Sequence, residues 1–145
     1  MKKHILILSA MIAMLVASLT SCQHSPREML IGVYEVTEVT TTQKMSDEDR
    51  MIWKEVMEDL KKSTKLVLSS DGTMLQTYNG VTKKGTWEVY GDDGEEGEGW
   101  RLKLIMEDKS TVNMVINDLT SSGFVNVMHD EASKSNTTIT YAKVN

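Results

Sequence analysis

Three textures follow one another along the chain. Ile5 to Leu19 is apolar or small almost throughout, Ser46 to about Lys62 repeats apolar residues at helical spacing, and from Thr64 onward short alternating runs are separated by turn signals. The first run covers roughly 15 residues against the ~20 that cross a hydrocarbon core. Met1-Lys2-Lys3 precedes it and polar Gln23-His24-Ser25 follows it, a layout that predicts a cleavable secretory signal rather than a membrane span.

Gln23 to Arg27 is polar, contains Pro26, and predicts a short tether, with a turn of helix at Glu28-Met29-Leu30. Ile31 to Thr42 is rich in Val, Tyr and Thr and predicts the first strand, although its alternation is imperfect. Ser46 then stands as a helix N-cap before Asp47-Glu48-Asp49, with Lys61-Lys62 near the opposite end, an arrangement favourable to the helix dipole at both termini. Met51, Ile52, Val56 and Leu60 form an apolar stripe with Trp53 and Met57 beside it, so the helix is expected to cover an open end or edge of a sheet. Membrane contact is the competing use of that stripe. It is opposed by Glu48, Glu55, Glu58 and Asp59, which an anionic surface would repel.

The remaining pattern is β. Leu66 to Ser69 and Thr73 to Tyr78 flank Asp71-Gly72, and Asn79-Gly80 leads into Val81 to Tyr90, two dipeptides that favour tight hairpins. Gly85 marks a bulge or bend, and Trp87 and Val89 share a face. Trp100 to Met106 alternates most cleanly, with Trp100, Leu102, Leu104 and Met106 on one side. Thr111 to Asn117 follows, then a turn region from Leu119 to Gly123, then strands over Phe124 to His129 and Asn136 to Val144. The sum is eight strands with one helix between the first and second. Sequential strands joined by tight turns predict a mainly β fold, an eight-stranded antiparallel up-and-down barrel, with a β-sandwich as the alternative.

Charge and cysteine usage narrow the function classes. The chain carries a net −5, and loss of Lys2 and Lys3 with the signal makes the exported part more acidic still, which argues against nucleic acid as a partner. Cys22 is the single cysteine, so the domain forms no internal disulfide and its core must rest on apolar burial.

Leu19-Thr20-Ser21-Cys22 resembles the lipobox of bacterial lipoproteins, in which an aliphatic residue and two small ones precede a cysteine. The resemblance implies that Cys22 is lipidated, that residues 1–21 are removed, and that the protein is held at the cell envelope of a Gram-negative bacterium, on the outer-membrane or periplasmic side. Several acyl chains hold a domain firmly where one gives only marginal attachment. An ordinary secretory signal with an incidental Cys22 is the alternative. On this reading 22–30 is anchor and tether, and 31–145 is the barrel domain.

Gly32-Val33-Tyr34 resembles the Gly-x-Trp opening of lipocalins, with Tyr for Trp, and Asp71-Gly72-Thr73 followed by Gly85-Thr86-Trp87 resembles small bacterial lipocalin-like lipoproteins. That resemblance implies an eight-stranded barrel with an interior for a small apolar molecule. Tyr34, Tyr78, Trp87, Trp100 and Met106 are the candidate ligand-binding residues, since aromatic and methionine side chains suit an adaptable apolar pocket; they serve equally well as core. A side-chain-filled barrel acting as a structural or protein-interaction module is the competing expectation.

Catalytic chemistry has little to stand on. His129, beside Asp130 and Glu131, is the one histidine of the predicted barrel domain, to be read as a base, a metal ligand or a surface residue. The acidic loop Asp92, Asp93, Glu95, Glu96 and Glu98 offers oxygen ligands for calcium but lacks the regular spacing of a dedicated loop. The pattern implies no cofactor and no enzyme.

Overall fold

The computed structural model describes residues 25–91 and 99–144. The signal, Cys22 and the heart of the acidic loop therefore lie outside the described residues. Strands β1 (Gly32–Thr41), β2 (Lys65–Leu68), β3 (Thr73–Tyr78), β4 (Val81–Gly91), β5 (Trp100–Met106), β6 (Thr111–Thr120), β7 (Gly123–Asp130) and β8 (Ser135–Lys143) pair in sequence order. β8 returns to β1, so the sheet closes as an antiparallel barrel. Helix α1 (Pro26–Leu30) precedes it, and α2 (Asp47–Ser63) connects β1 to β2.

Local chemistry explains the turns. Asn79 and Gly80 both take left-handed backbone, φ 51° and 80°, as a two-residue hairpin between the paired Tyr78 and Val81 demands. At the other end of β3, Gly72 takes φ 88° while the Asp71 carboxylate accepts hydrogen bonds from the Thr73 amide and hydroxyl. These bonds hold the Asp71 carboxyl below its usual pKa, the Thr73 hydroxyl contributing most. A close approach rather than a turn requires Gly85. A Cβ there would lie 2.0 Å from the Ile105 carbonyl oxygen, so β4 and β5 can press together only at a glycine.

The imperfect alternation of β1 has a definite cause. Its register against β8 slips between Val36 and Glu38, a bulge that lets Tyr34, Val36 and Val39 all reach the core despite their mixed spacing. A second irregularity lies between Asn117 and Thr120 in β6, where Asp118 has φ 50°. β6 therefore runs on to Thr120, and the predicted turn over Leu119 to Gly123 shrinks to Ser121 and Ser122 between β6 and β7.

α1 is part of the barrel domain rather than tether. Ser25 caps it, Pro26 opens it, and Leu30 is fully buried among the core side chains. The domain thus begins before Ile31. α2 also meets the sequence expectation in part. Ser46 caps it through the Asp49 amide, and Trp53, Met57 and Leu60 pack against the core, with the helix lying against β1 and β3. Met51, Ile52 and Val56, expected on the covered stripe, are exposed instead. An apolar arc that wraps this far around a helix cannot all touch one barrel wall.

Candidate functional site

The barrel interior is the place where the sequence expects a ligand, and its contents begin with α1. β1 starts beside α1, so Tyr34, on the third residue of β1, points its ring into the barrel and its hydroxyl back to the helix. The hydroxyl donates to the Leu30 carbonyl at 2.9 Å and more weakly to that of Met29 at 3.3 Å. These are orphan carbonyls at a helix C-terminus, which need such a donor when buried. Burial pushes the Tyr34 phenol up to about 12.

Phe124 of β7 meets Tyr34 edge-on, and Tyr141 of β8 stacks on Phe124 with centroids 4.8 Å apart and ring planes 16° from parallel. Leu68, Leu102 and Ile116 are fully buried in the same core. Burial likewise raises the Tyr141 phenol to about 12. The rings and aliphatic side chains pack together at the α1 end of the barrel.

Two cations bracket this end. The Arg27 guanidinium lies 4.9 Å from the centre of the Trp87 ring and donates to the Ser70 carbonyl, joining α1 to the β2–β3 turn. Trp87 is itself buried, its indole N–H donating to the Ser69 carbonyl at 2.9 Å. Lys143 Nζ lies 5.9 Å from the Tyr34 ring centre, and partial burial lowers the pKa of its ammonium. Gly32 leaves room for the Lys143 stem, whose Cε would lie 3.0 Å from any added Cβ.

The five predicted ligand-binding residues do not converge. Tyr34, Trp87 and Met106 are core side chains, whereas Tyr78 and Trp100 are 50% and 40% exposed. Tyr78 sits at the tip of the β3–β4 hairpin; Trp100 opens β5 opposite Gly91 and Ile116. Tyr78 and Met106 line separate surface concavities, one on the hairpin and one where β4 and β5 press together at Gly85. Neither is lined by Tyr34, Phe124 or Ile116.

Sequence reading passed over Arg27, Phe124, Asn126 and Tyr141. Arg27 reads as a tether residue because its partner, Trp87, is sixty positions away. Asn126 is 4% exposed, between Ile116 and Ile139 in the ladder, and its Oδ1 has no hydrogen-bond partner. Alternation alone marks it as inward-facing, but polarity argues the other way.

His129 is an exposed residue of the β7–β8 end. Its Nδ1 lies 2.7 Å from Asn136 Oδ1 and its Nε2 3.8 Å from the exposed Glu131 carboxylate. Among the described residues no group of three His, Cys, Asp or Glu side chains is placed to hold a metal ion. The calcium reading of Asp92 to Glu98 falls outside the described residues. No helix among them is long and apolar enough to cross a membrane.

No protein-family model matches the sequence, and no curated protein matches it significantly. Among solved structures, the chain is similar to a DUF4847 family protein from Bacteroides vulgatus ATCC 8482, at 15% identity and a TM-score of 0.41, over 79% of this chain and 94% of that one. A likeness at that level adds nothing to the architecture that the strand pairing already establishes.

Proposed function

We propose that this protein is a non-catalytic structural or protein-interaction module, a side-chain-filled β-barrel held at the cell envelope through a lipidated Cys22. The observation that carries the reading is the Tyr34–Phe124–Tyr141 ring cluster, packed with Leu30, Leu68 and Ile116 where a lipocalin-like barrel would keep its ligand. The lipobox-like Leu19-Thr20-Ser21-Cys22 supports the anchor. With the interior occupied, recognition falls to the outer surface.

Binding of a small apolar molecule inside the barrel is the competing reading, and it requires those rings to move aside. The test is native mass spectrometry of the purified protein together with a chemically broad panel of apolar ligands followed by tryptophan fluorescence. The filled barrel predicts no co-purifying apolar molecule and no saturable fluorescence change. A stoichiometric bound ligand, or a saturable change abolished by enlarging a core side chain, overturns it. The anchor has its own test: Cys22→Ala protein is expected to leave the membrane fraction on high-salt washing, and its retention there would count against lipidation.

A further inference from the structure

We infer that the exposed apolar strip of α2 is a docking face for a basic amphipathic protein segment. The inference rests on the interaction-module reading and assigns its contact surface. Ile52 and Val56, one turn apart, are 57% and 47% exposed, beside the half-buried Trp53 that anchors the helix to the barrel. Together with Met45, from the connection before the helix, they line a groove of about 370 Å³. A polar residue at either position would serve a helix whose only task was to cover the barrel, because Trp53, Met57 and Leu60 already do so.

The charges around the strip specify the occupant. Glu48 lies four residues before Ile52, Asp49 three before it, Glu55 three after it, and Asp59 three after Val56, so all four surround the strip. All four are exposed, and none has an ion-pair partner among the described residues. By contrast, Glu58, on another face of the helix, is paired with Lys61 at 2.7 Å. Glu55 and Asp59 are like charges at i and i+4, an arrangement that weakens a helix unless a cation sits between them. Lys44 borders the groove and Lys62 lies one turn after Asp59, so the cations at hand are outnumbered.

A segment with apolar anchors flanked by Lys or Arg fills the groove and neutralises this rim, the helix-in-groove mode of peptide recognition. An anionic lipid surface and a second copy of this acidic chain both bring charge of the wrong sign. Helix α2 leaves from the end of β1 and returns at the start of β2, opposite the barrel end where α1 packs.

The test uses the full lipidated chain in neutral detergent and two labelled synthetic helices. Both carry the same Leu stripe; one has Lys on its flanks and the other Glu. The Lys-flanked helix is expected to bind in a salt-sensitive manner and the Glu-flanked helix at least tenfold more weakly. Ile52→Ser with Val56→Ser should reduce binding of the Lys-flanked helix at least tenfold. Glu55→Lys with Asp59→Lys should do the same and improve binding of the Glu-flanked helix. All four positions are exposed, so the melting temperature reports whether each variant is folded, and either pair alone decides the matter. Equal binding of both helices, or indifference to both pairs of substitutions, overturns the inference. So does a change in sedimentation with Ile52→Ser, which would make the occupant a second copy, or a loss of binding to anionic vesicles, which would make it lipid. A ligand found inside the barrel would sink the filled-barrel reading and leave these outcomes untouched.

Discussion

Tyr34 and Phe124 meet edge to face at the heart of the barrel, their ring centroids 5.0 Å apart and their planes at 65°. The contact joins the first strand to the seventh, and through the Tyr34 hydroxyl it extends to the last turn of α1. Phe124→Ala should destabilise the fold by about 3–5 kcal/mol, because the fully buried ring leaves a cavity between two tyrosines that cannot both follow it. Tyr34→Phe keeps the ring and removes only the donor to the Leu30 carbonyl, for about 1–3 kcal/mol. Chemical denaturation of both variants checks the order. A larger loss in Tyr34→Phe than in Phe124→Ala would mean that the hydroxyl, not the ring contact, holds this end together.

Asn126 has a buried Oδ1 that nothing satisfies. Replacing it with the similarly shaped Leu removes that desolvation cost and should stabilise the protein by about 1 kcal/mol. In a domain of this size the gain corresponds to a melting temperature higher by about 3–6 °C. A calorimetric scan showing a lower value would mean that the amide has a partner, such as a buried water, worth more than the added apolar contact.

Gly85→Ala places a methyl group against the backbone of β5 rather than against a movable side chain. The strands must separate, and the expected loss exceeds about 3 kcal/mol, well above the 1 kcal/mol scale of an ordinary substitution. Gly80→Ala, at φ 80° with open space around it, should cost only the left-handed strain of about 1 kcal/mol. Comparing the two melting curves separates a steric requirement from a conformational one.

Alkaline pH should unfold the protein through its buried phenols. Tyr34 and Tyr141 are raised from 10.0 to about 12 by burial. The unfolded chain releases these protons first, so stability is fully present below pH 10 and falls as the pH rises toward 12. Each tyrosine contributes on the order of 1–3 kcal/mol to that fall. Spectrophotometric titration should find two tyrosines that ionise only as the near-ultraviolet dichroism is lost. Ionisation of all tyrosines in a folded protein would contradict their burial.

Much of the fold is legible in the sequence because its signals are local. Asn79-Gly80 names its own hairpin, Ser46 and the carboxylates after it name a helix start, and Trp100 to Met106 alternates without help from its neighbours. Bulges are not local. The slip between Val36 and Glu38 is defined against β8, about a hundred residues away, so β1 alone shows only broken alternation. Core membership of α1 depends in the same way on Trp87 and Tyr34.

Sequence alone therefore determined the strand count, the helix between the first two strands and the antiparallel order, because hydrophobic period and turn chemistry act over a few residues. Tertiary structure alone decided which aromatic rings are buried in the core and which stand exposed at the rims. It also decided which half of the α2 stripe meets the barrel and which is left in water. Closure of the sheet sets those outcomes: it brings β1, β7 and β8 together, fixes how much space their side chains must fill, and offers a broad apolar helix only one wall to lean on.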